Sequence, residues 1–185
     1  PFEQQPTTFQ LPHKVTTSLY DAGSPEVEQT TYVQSTYDDM GNVLVLYDSA
    51  NDTTERSTYY PAEGENGDDG TEHCPPDPLG LVRRLKSQST EPGEKGGPVR
   101  RTHYRYVRVP VRQNALAWTF DRTYYVQACD EISEEVVDGN IATLVHNEQF
   151  FIVDHGAQHG SLQRETREQD GLKETREFTY ASDDI

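Results

Sequence analysis

The chain is short of the residues that build a conventional hydrophobic interior. Only 32% of its 185 residues are hydrophobic, with a single Trp and a single Met, and this share is low for a globular domain. The length is nevertheless sufficient for one domain with a core. No stretch is apolar enough to span a bilayer, so we expect no membrane insertion by this segment.

Positive charge is equally scarce. Lys and Arg total 16 against 32 Asp and Glu, which gives a formal net charge of -16 at pH 7. Contacts to phosphates need Lys and Arg, so nucleic acid is excluded as a partner. The same charge disfavours an anionic membrane surface, and it mainly promotes solubility.

Cysteine contributes little. Cys74 and Cys129 could pair in an oxidising compartment, but the sequence cannot place them near each other, and two unpaired thiols are the default interpretation. A zinc site needs more ligands at a recognised spacing, and we expect no metal and no cofactor. No signal peptide is visible and the chain opens with Pro1, so we expect it to be a piece of a longer protein.

The apolar residues that are present are β-formers in alternating runs, and no segment has helix caps with a 3.6-residue period. We therefore predict an all-β fold of antiparallel hairpins in a meander, as one β-rich fragment over 1–185. Its parts are repeat hairpins over 27–60, an acidic loop over 61–78, a flexible linker over 88–98 and further antiparallel strands over 99–185.

Several strands and turns within this scheme are predicted individually. Two-residue hairpin turns are expected at Asp138-Gly139 and Asp170-Gly171, and a turn at Asn147-Glu148. The main predicted strands are 27–37, 43–48, 55–60, 79–88, 100–111, 115–120, 123–129, 134–137, 141–145, 149–153, 162–168 and 172–180.

The most informative motif is Tyr37-Asp38-Asp39-Met40-Gly41-Asn42, which lies between two predicted strands. Tyr37 ends a strand and is expected to lay its ring on the sheet. Asp38 can accept hydrogen bonds from backbone amides two residues on, while Gly41 and Asn42 are expected to supply positive φ. Weaker copies occur at Tyr20-Asp21, Tyr47-Asp48 and the segment around Tyr180.

A second block follows this corner, and together they carry a family resemblance. The block contains Tyr59-Tyr60-Pro61-Ala62, then Cys74-Pro75, Asp77-Pro78-Leu79-Gly80 and Val82-Arg83. The corner resembles the YD (RHS) repeat. The order of the block resembles the RHS-bearing B components of insecticidal toxin complexes (Tc toxins) and their salmonella-virulence-type relatives. The resemblance spans about residues 30 to 110.

The resemblance implies a non-catalytic wall segment of a secreted bacterial shell that encloses a toxic effector polypeptide. Its partners would be neighbouring RHS repeats, other toxin-complex subunits and the enclosed effector. The residues that it implies as turn formers and ring stackers are Tyr37, Asp38, Gly41, Asn42, Tyr59, Tyr60, Asp77 and Gly80.

Three groups of residues are candidates for chemical sites. Asp77-Pro78-Leu79-Gly80 matches an element that RHS proteins use for self-cleavage, but a second copy is absent from the sequence, and Asp-Pro-x-Gly also forms an ordinary turn. His155 and His159 are separated by glycines that disfavour a helical metal site. The acidic run Asn66, Asp68, Asp69 and Glu72 lacks the spacing of a known calcium loop. Structural interpretations are favoured for all three.

One alternative belongs to another functional class. YD repeats also occur in adhesive cell-surface proteins, so the chain could be an extracellular adhesion or carbohydrate-binding module. Exposed Tyr and Trp118 would then stack on sugar rings. An exposed aromatic strip would favour this alternative, whereas inward-facing aromatic side chains would favour the wall.

Overall fold

The computed structural model describes residues 11–20, 27–94, 96–111, 124–153 and 159–180. These residues form β-strands joined by turns and loops, and the all-β prediction is confirmed. The strands are β1 (Lys14–Tyr20), β2 (Val27–Tyr37), β3 (Val43–Asp48), β4 (Thr53–Tyr59), β5 (Glu65–Asn66), β6 (Glu72–Cys74), β7 (Leu85–Pro92), β8 (Val99–Pro110), β9 (Tyr124–Val137), β10 (Asn140–Phe151), β11 (Leu162–Gln169) and β12 (Leu172–Glu177).

The strands follow one another in an antiparallel meander, as predicted. The main sheet has the order β1-β2-β3-β4-β7-β8-β9-β10-β11-β12, and β5 pairs with β6 in a separate two-stranded sheet. Chain-neighbouring strands can pair this way because short turns are enough to reverse an antiparallel chain. The described part of the chain contains no helix with the length and hydrophobicity that a membrane crossing requires.

Internal contacts divide the chain into two compact units. Unit 1 comprises residues 1–57 and 90–97, and unit 2 comprises residues 58–89 and 98–185. Unit 1 therefore holds β1, β2 and β3, and unit 2 holds β5, β6 and β8 to β12. The predicted strands 27–37 and 43–48 match β2 and β3.

The two predicted hairpin turns are confirmed. Asp138 and Gly139 have φ of 51° and 79°, and Asp170 and Gly171 have φ of 52° and 73°. Positive φ at both central residues defines the turn whose twist matches the flanking strands. Val137 accordingly pairs with Asn140, and Gln169 pairs with Leu172.

The strand predicted over 79–88 lies further along the chain than expected. It is β7, which runs from Leu85 to Pro92 and so enters the predicted linker 88–98. The apolar run that follows Asp77 resembled a strand, but the Asp77 carboxylate binds the amides of Leu79, Leu81 and Val82. Those amides are therefore committed to a turn and cannot join a ladder.

The predicted turn at Asn147-Glu148 is wrong, because β10 is a single strand through both residues. Asn147 pairs with Glu131 on one side and Arg167 on the other, so its polar side chain lies in a polar stretch of sheet. Likewise, residues 124–137 form one long strand rather than two. The acidic loop 61–78 contains the short strands β5 and β6. The predicted strand 115–120 lies outside the described residues.

Few side chains are fully buried. Tyr60, Cys74 and Val109 are the buried hydrophobic residues of the described chain, at 3%, 2% and 0% exposure. Large apolar side chains such as Leu81 and Ile141 are by contrast mostly exposed. The low hydrophobic content of the sequence is thus reflected in a very small core.

Candidate functional site

The predicted repeat corner in unit 1 is a turn built by one carboxylate. Asp38 Oδ1 accepts hydrogen bonds from the amides of Met40 at 2.9 Å and Asn42 at 2.8 Å. The Gly41 amide donates to the Asp38 carbonyl at 3.1 Å, and Gly41 has φ of +85°. The prediction that Asp38 accepts a hydrogen bond from the amide two residues on is confirmed, as is the positive φ of Gly41.

The prediction for Asn42 is wrong, because Asn42 is not among the residues with positive φ. Its side chain instead donates from Nδ2 to Asp38 Oδ2 at 2.9 Å, and its backbone carbonyl accepts the Asp38 amide at 2.9 Å. Because Gly41 alone adopts the left-handed conformation that the turn requires, Asn42 does not need a positive φ. Tyr37 donates its hydroxyl to the Pro12 carbonyl at 3.0 Å.

The weaker copy at Tyr47-Asp48 uses related contacts. Asp48 Oδ1 accepts the Ala50 amide at 2.8 Å, and Asp48 Oδ2 accepts the Asn51 side chain at 2.7 Å. The Ala50 amide and the Asn51 side chain lower the pKa of Asp48 below its ordinary value. The Asp21 copy lies outside the described residues, and Tyr180 donates its hydroxyl to the Leu162 carbonyl at 2.6 Å.

Asp77 builds a corner of the same design in unit 2. Its Oδ2 accepts the amides of Leu79 at 3.2 Å and Leu81 at 3.0 Å, two and four residues on. Gly80 donates its amide to the Asp77 carbonyl at 2.9 Å and has φ of +66°. Asp38-x-x-Gly41 and Asp77-x-x-Gly80 are therefore one local structure, which we call the Asp-x-x-Gly corner.

The Asp77 carboxylate is held in its charged form. Burial would raise its pKa, but the amides of Leu81 and Leu79 and the Arg84 guanidinium at 3.2 Å outweigh burial and lower the pKa. The Asp77 side chain is 7% exposed. The turn at Asp77 and Gly80 is the one expected from Asp-Pro-x-Gly, whereas the sequence pattern does not indicate Arg84 as the partner of Asp77.

Buried Tyr60 and half-buried Tyr106 form a second cluster in unit 2. The rings of Tyr60 and Tyr106 meet edge to face, with centroids 6.0 Å apart. Tyr60 donates its hydroxyl to the Tyr104 carbonyl at 2.9 Å, and Tyr106 donates to the Leu85 carbonyl at 3.0 Å. Burial raises the pKa of each phenol to about 12. Tyr59, also predicted as a ring stacker, ends β4 and is half-buried.

The turn beside this tyrosine pair is sterically tight. A Cβ at Gly64 would lie 2.6 Å from both the Cys74 carbonyl oxygen and the Pro76 nitrogen, and Gly64 has φ of +79°. Tyr124 donates its hydroxyl to the Pro76 carbonyl at 2.9 Å. Backbone that approaches this closely excludes every residue except glycine, so the loop is fixed against the sheet.

Unit 2 also contains an open groove of about 470 Å³, whose lining includes Arg105, Val107, Cys129, Glu148 and Phe150. Burial raises the pKa of the Cys129 thiol to about 11. A thiol with a raised pKa is protonated at neutral pH and is a poor nucleophile. Cys129 does not pair with Cys74, since both cysteines are free.

Three of the candidate metal ligands, Asp69, Glu72 and His159, contact other protein groups. Among the residues that the structure describes, no three His, Cys, Asp or Glu side chains converge on one point. In the acidic run, Asp69 accepts the Thr71 amide at 2.9 Å, and Glu72 forms an ion pair with Arg108. His155 is not described, and His159 contacts the Pro110 carbonyl.

No family model, curated protein or solved structure matches the chain. The arrangement itself is mechanical: carboxylates close turns, and phenol hydroxyls bind backbone carbonyls. In both cases polar side chains satisfy backbone groups that a small core cannot protect.

Proposed function

We propose that the chain is a non-catalytic wall segment of an RHS/YD-repeat shell that encloses an effector polypeptide, as in the B component of an insecticidal toxin complex. It would act outside the bacterium that secretes it, in contact with neighbouring repeats and other toxin-complex subunits. The observation that carries the proposal is the Asp-x-x-Gly corner, whose carboxylate accepts amides two and four residues on at both places where it occurs. The Asp38 corner joins β2 to β3 of the antiparallel meander, and the Asp77 corner lies between β6 and β7.

The distribution of apolar side chains supports the proposal. Leu81 and Ile141 are 62% and 61% exposed, although Tyr60 and Val109 are buried. Apolar side chains that a segment leaves uncovered are suited to packing against further sheet. Neighbouring repeats in a wall provide such sheet.

The tyrosines favour the wall over the adhesion alternative. A sugar-binding platform presents ring faces and free hydroxyls to the ligand. Here five tyrosines instead donate their hydroxyl to a backbone carbonyl of the protein, which fixes the ring in place. They are Tyr37, Tyr60, Tyr106, Tyr124 and Tyr180. Tyr20 and Tyr125, at 60% and 37% exposure, are further candidates for sugar stacking, and Trp118 lies outside the described residues.

To test the proposal, the reading frame that encodes this chain is followed in both directions, and the longer protein that it encodes is expressed and purified. We expect further Tyr-Asp-x-x-Gly units, a hollow particle in electron micrographs and an inner polypeptide that resists protease. Asp38→Ala combined with Gly41→Val should shorten that protection, whereas Asp68→Ala at an exposed loop position should not. A longer protein without further repeat units, or without a protected polypeptide, would refute the proposal.

The absence of catalysis is tested on the chain itself. The purified chain is incubated for days between mildly acidic and neutral pH and then weighed by mass spectrometry. The Asp77 carboxylate is committed to amides and Arg84, so we expect the intact mass throughout. A fragment that disappears in Asp77→Asn, beyond acid scission at Asp-Pro, would instead indicate a protease.

A further inference from the structure

Strands β11 and β12 carry the same charge pattern. Residues 164–168 are Arg-Glu-Thr-Arg-Glu, and residues 173–177 are Lys-Glu-Thr-Arg-Glu. In each segment the charges are reversed across the central Thr. Wherever a basic residue lies a given number of positions before the Thr, an acidic residue lies the same number after it, and the reverse also holds. Two such segments paired antiparallel, Thr against Thr, therefore oppose base and acid at every charged position.

The β11–β12 hairpin already uses this register. Thr166 faces Thr175, and the charged pairs are Arg164 with Glu177, Glu165 with Arg176, Arg167 with Glu174, and Glu168 with Lys173. Opposite charges on facing residues stabilise an antiparallel pair, while like charges destabilise it. The hairpin thus places a base opposite an acid at all four charged positions of this register. Within β12, Arg176 also forms an ion pair with Glu174 at 2.9 Å.

The outer edge of β12 presents the same segment again. In a hairpin closed by the two-residue turn Asp170-Gly171, the flanking Gln169 and Leu172 form a hydrogen-bonded pair. Backbone groups alternate in direction along a strand, so Lys173, Thr175 and Glu177 point their amides and carbonyls away from β11. All six residues of β12 are exposed, and within the described residues no further strand pairs with this edge.

We propose that β12 pairs edge to edge with β12 of a second copy of this chain. The pairing is antiparallel and two-fold symmetric about Thr175. Lys173 faces Glu177 of the second copy, and Glu174 faces Arg176. The outward amides and carbonyls of Lys173, Thr175 and Glu177 form the new ladder, and a two-fold axis lets each copy use the same surface.

Only one register satisfies both the backbone and the charges. Sliding the strands by one residue brings inward-pointing amides to the edge, so the ladder cannot form. Sliding them by two residues places either Glu174 against Glu174 or Arg176 against Arg176. Charged edges usually deter association, but this order of charges repels a second copy in every register except the one centred on Thr175.

A backbone variant provides the first arm of the test. Thr175→Pro removes an amide that points to the outer edge, so the β11–β12 hairpin keeps its hydrogen bonds while the new ladder loses its centre. Thr175→Val keeps the amide and suits a strand, which makes it the matched control. Folding of each variant is checked by circular dichroism.

Sedimentation is measured for the whole chain from about 10 µM to about 1 mM, because a single pair of strands buries little surface and binds weakly. Ionic strength is held near 0.15 M, where a screening length of about 8 Å weakens repulsion between the two acidic bodies but spares contacting pairs. We expect the wild type and Thr175→Val to dimerise as concentration rises. Thr175→Pro should associate at least about tenfold more weakly.

A charge-reversal pair provides the second arm and remains decisive if Thr175→Pro fails to fold. Since Lys173 faces Glu168 and Glu177 faces Arg164 within the hairpin, Lys173→Glu is made together with Glu168→Lys, and Glu177→Lys together with Arg164→Glu, so that each hairpin keeps base against acid. The variant with Lys173→Glu opposes two acids at each end of the dimer, and the variant with Glu177→Lys opposes two bases. Each variant should therefore be monomeric by itself. Mixed one to one, they restore base against acid at both ends, so the mixture should dimerise as the wild type does.

Three results would overturn the proposal. They are a wild-type chain that stays monomeric near 1 mM, a folded Thr175→Pro that dimerises as well as Thr175→Val, and a charge-reversal mixture that stays monomeric. The proposal depends on β12 alone. Its failure would leave the wall proposal standing, because that proposal rests on the Asp-x-x-Gly corners.

Discussion

At the scale of single residues, each Asp-x-x-Gly corner combines one acceptor with one permissive backbone. Asp38 and Asp77 each bind amides two and four residues on, and Gly41 and Gly80 turn the chain with positive φ. The carboxylate satisfies amides that would otherwise require a ladder partner. The two residues therefore have separable energetic roles, one electrostatic and one conformational.

The conformational role predicts that Gly41→Val lowers the free energy of unfolding by about 1 kcal/mol or more, since a β-branched residue is strained at φ of +85°. The nearest side-chain atom to a new Cβ is the terminal Leu11 Cδ1 at 3.3 Å, so crowding adds little. Gly41→Asn is the control, because Asn tolerates this conformation. Urea denaturation that gives equal midpoints for wild type and Gly41→Val would contradict the prediction.

The electrostatic role predicts a pH dependence at Asp77. Its folded pKa is lowered, so the stabilisation is fully present above the ordinary Asp pKa of about 3.9 and is lost as pH falls through the lower folded value. Asp77→Asn should therefore destabilise the chain more at pH 7 than near pH 3. Denaturant midpoints at both pH values measure this, with the exposed Asp68→Asn as control. A difference between the midpoints of wild type and Asp77→Asn that is unchanged or larger at pH 3 would contradict this role of Asp77.

At the scale of elements, the hydrogen-bonding tyrosines link strands to loops and to other strands. The Tyr106 hydroxyl on β8 reaches the Leu85 carbonyl on β7, and the Tyr124 hydroxyl on β9 reaches the loop carbonyl of Pro76. Such anchors suit a sheet with a small core, because each satisfies a backbone acceptor and buries an aromatic ring at once.

These anchors predict alkaline unfolding. The pKa values of Tyr60 and Tyr106 are raised to about 12, so their stabilisation is present below the ordinary Tyr pKa of about 10 and is lost as pH rises toward 12. Absorbance titration at alkaline pH should show late-ionising phenols that include Tyr60 and Tyr106, together with loss of the β-sheet circular dichroism spectrum. Tyr60→Phe and Tyr106→Phe should each remove one late-ionising phenol, and unchanged titration curves for both variants would contradict the prediction.

The sequence predicts elements where turn chemistry and strand pattern agree. β2 and β3 were placed correctly because the corner between them has a distinctive Asp and Gly, and both Asp-Gly hairpins were found for the same reason. β7 was misplaced because the partner of the Leu81 amide is the Asp77 carboxylate, four residues back. The Asp77–Arg84 ion pair requires the folded turn to bring the two side chains together, so local pattern alone could not predict it.

At the scale of the whole molecule, charge opposes folding more than it directs it. The net charge of -16 is gathered into a smaller volume when the chain folds, so self-repulsion destabilises the folded state. Local ion pairs such as Lys86–Glu65 and Arg56–Glu91 offset a small part of that repulsion, because exposed pairs contribute little.

Salt should therefore stabilise this chain. Raising sodium chloride from about 0.01 M to about 0.15 M shortens the screening length from about 30 Å to about 8 Å, and we expect the thermal midpoint to rise. A variant with Glu28, Glu63 and Asp68 changed to their amides carries less charge and should gain less from salt. A midpoint that falls with salt would mean that the ion pairs outweigh the repulsion.

The chain order of β8 to β12 has a consequence for synthesis on the ribosome. Each of these strands pairs with the strand made just before it, and antiparallel neighbours need only a short reversal to meet. When each strand leaves the ribosome, the strand with which it pairs has therefore already been synthesised. The sheet formed by β8 to β12 can therefore gain one strand at a time during synthesis, because no strand in it needs a partner from a later, distant part of the sequence.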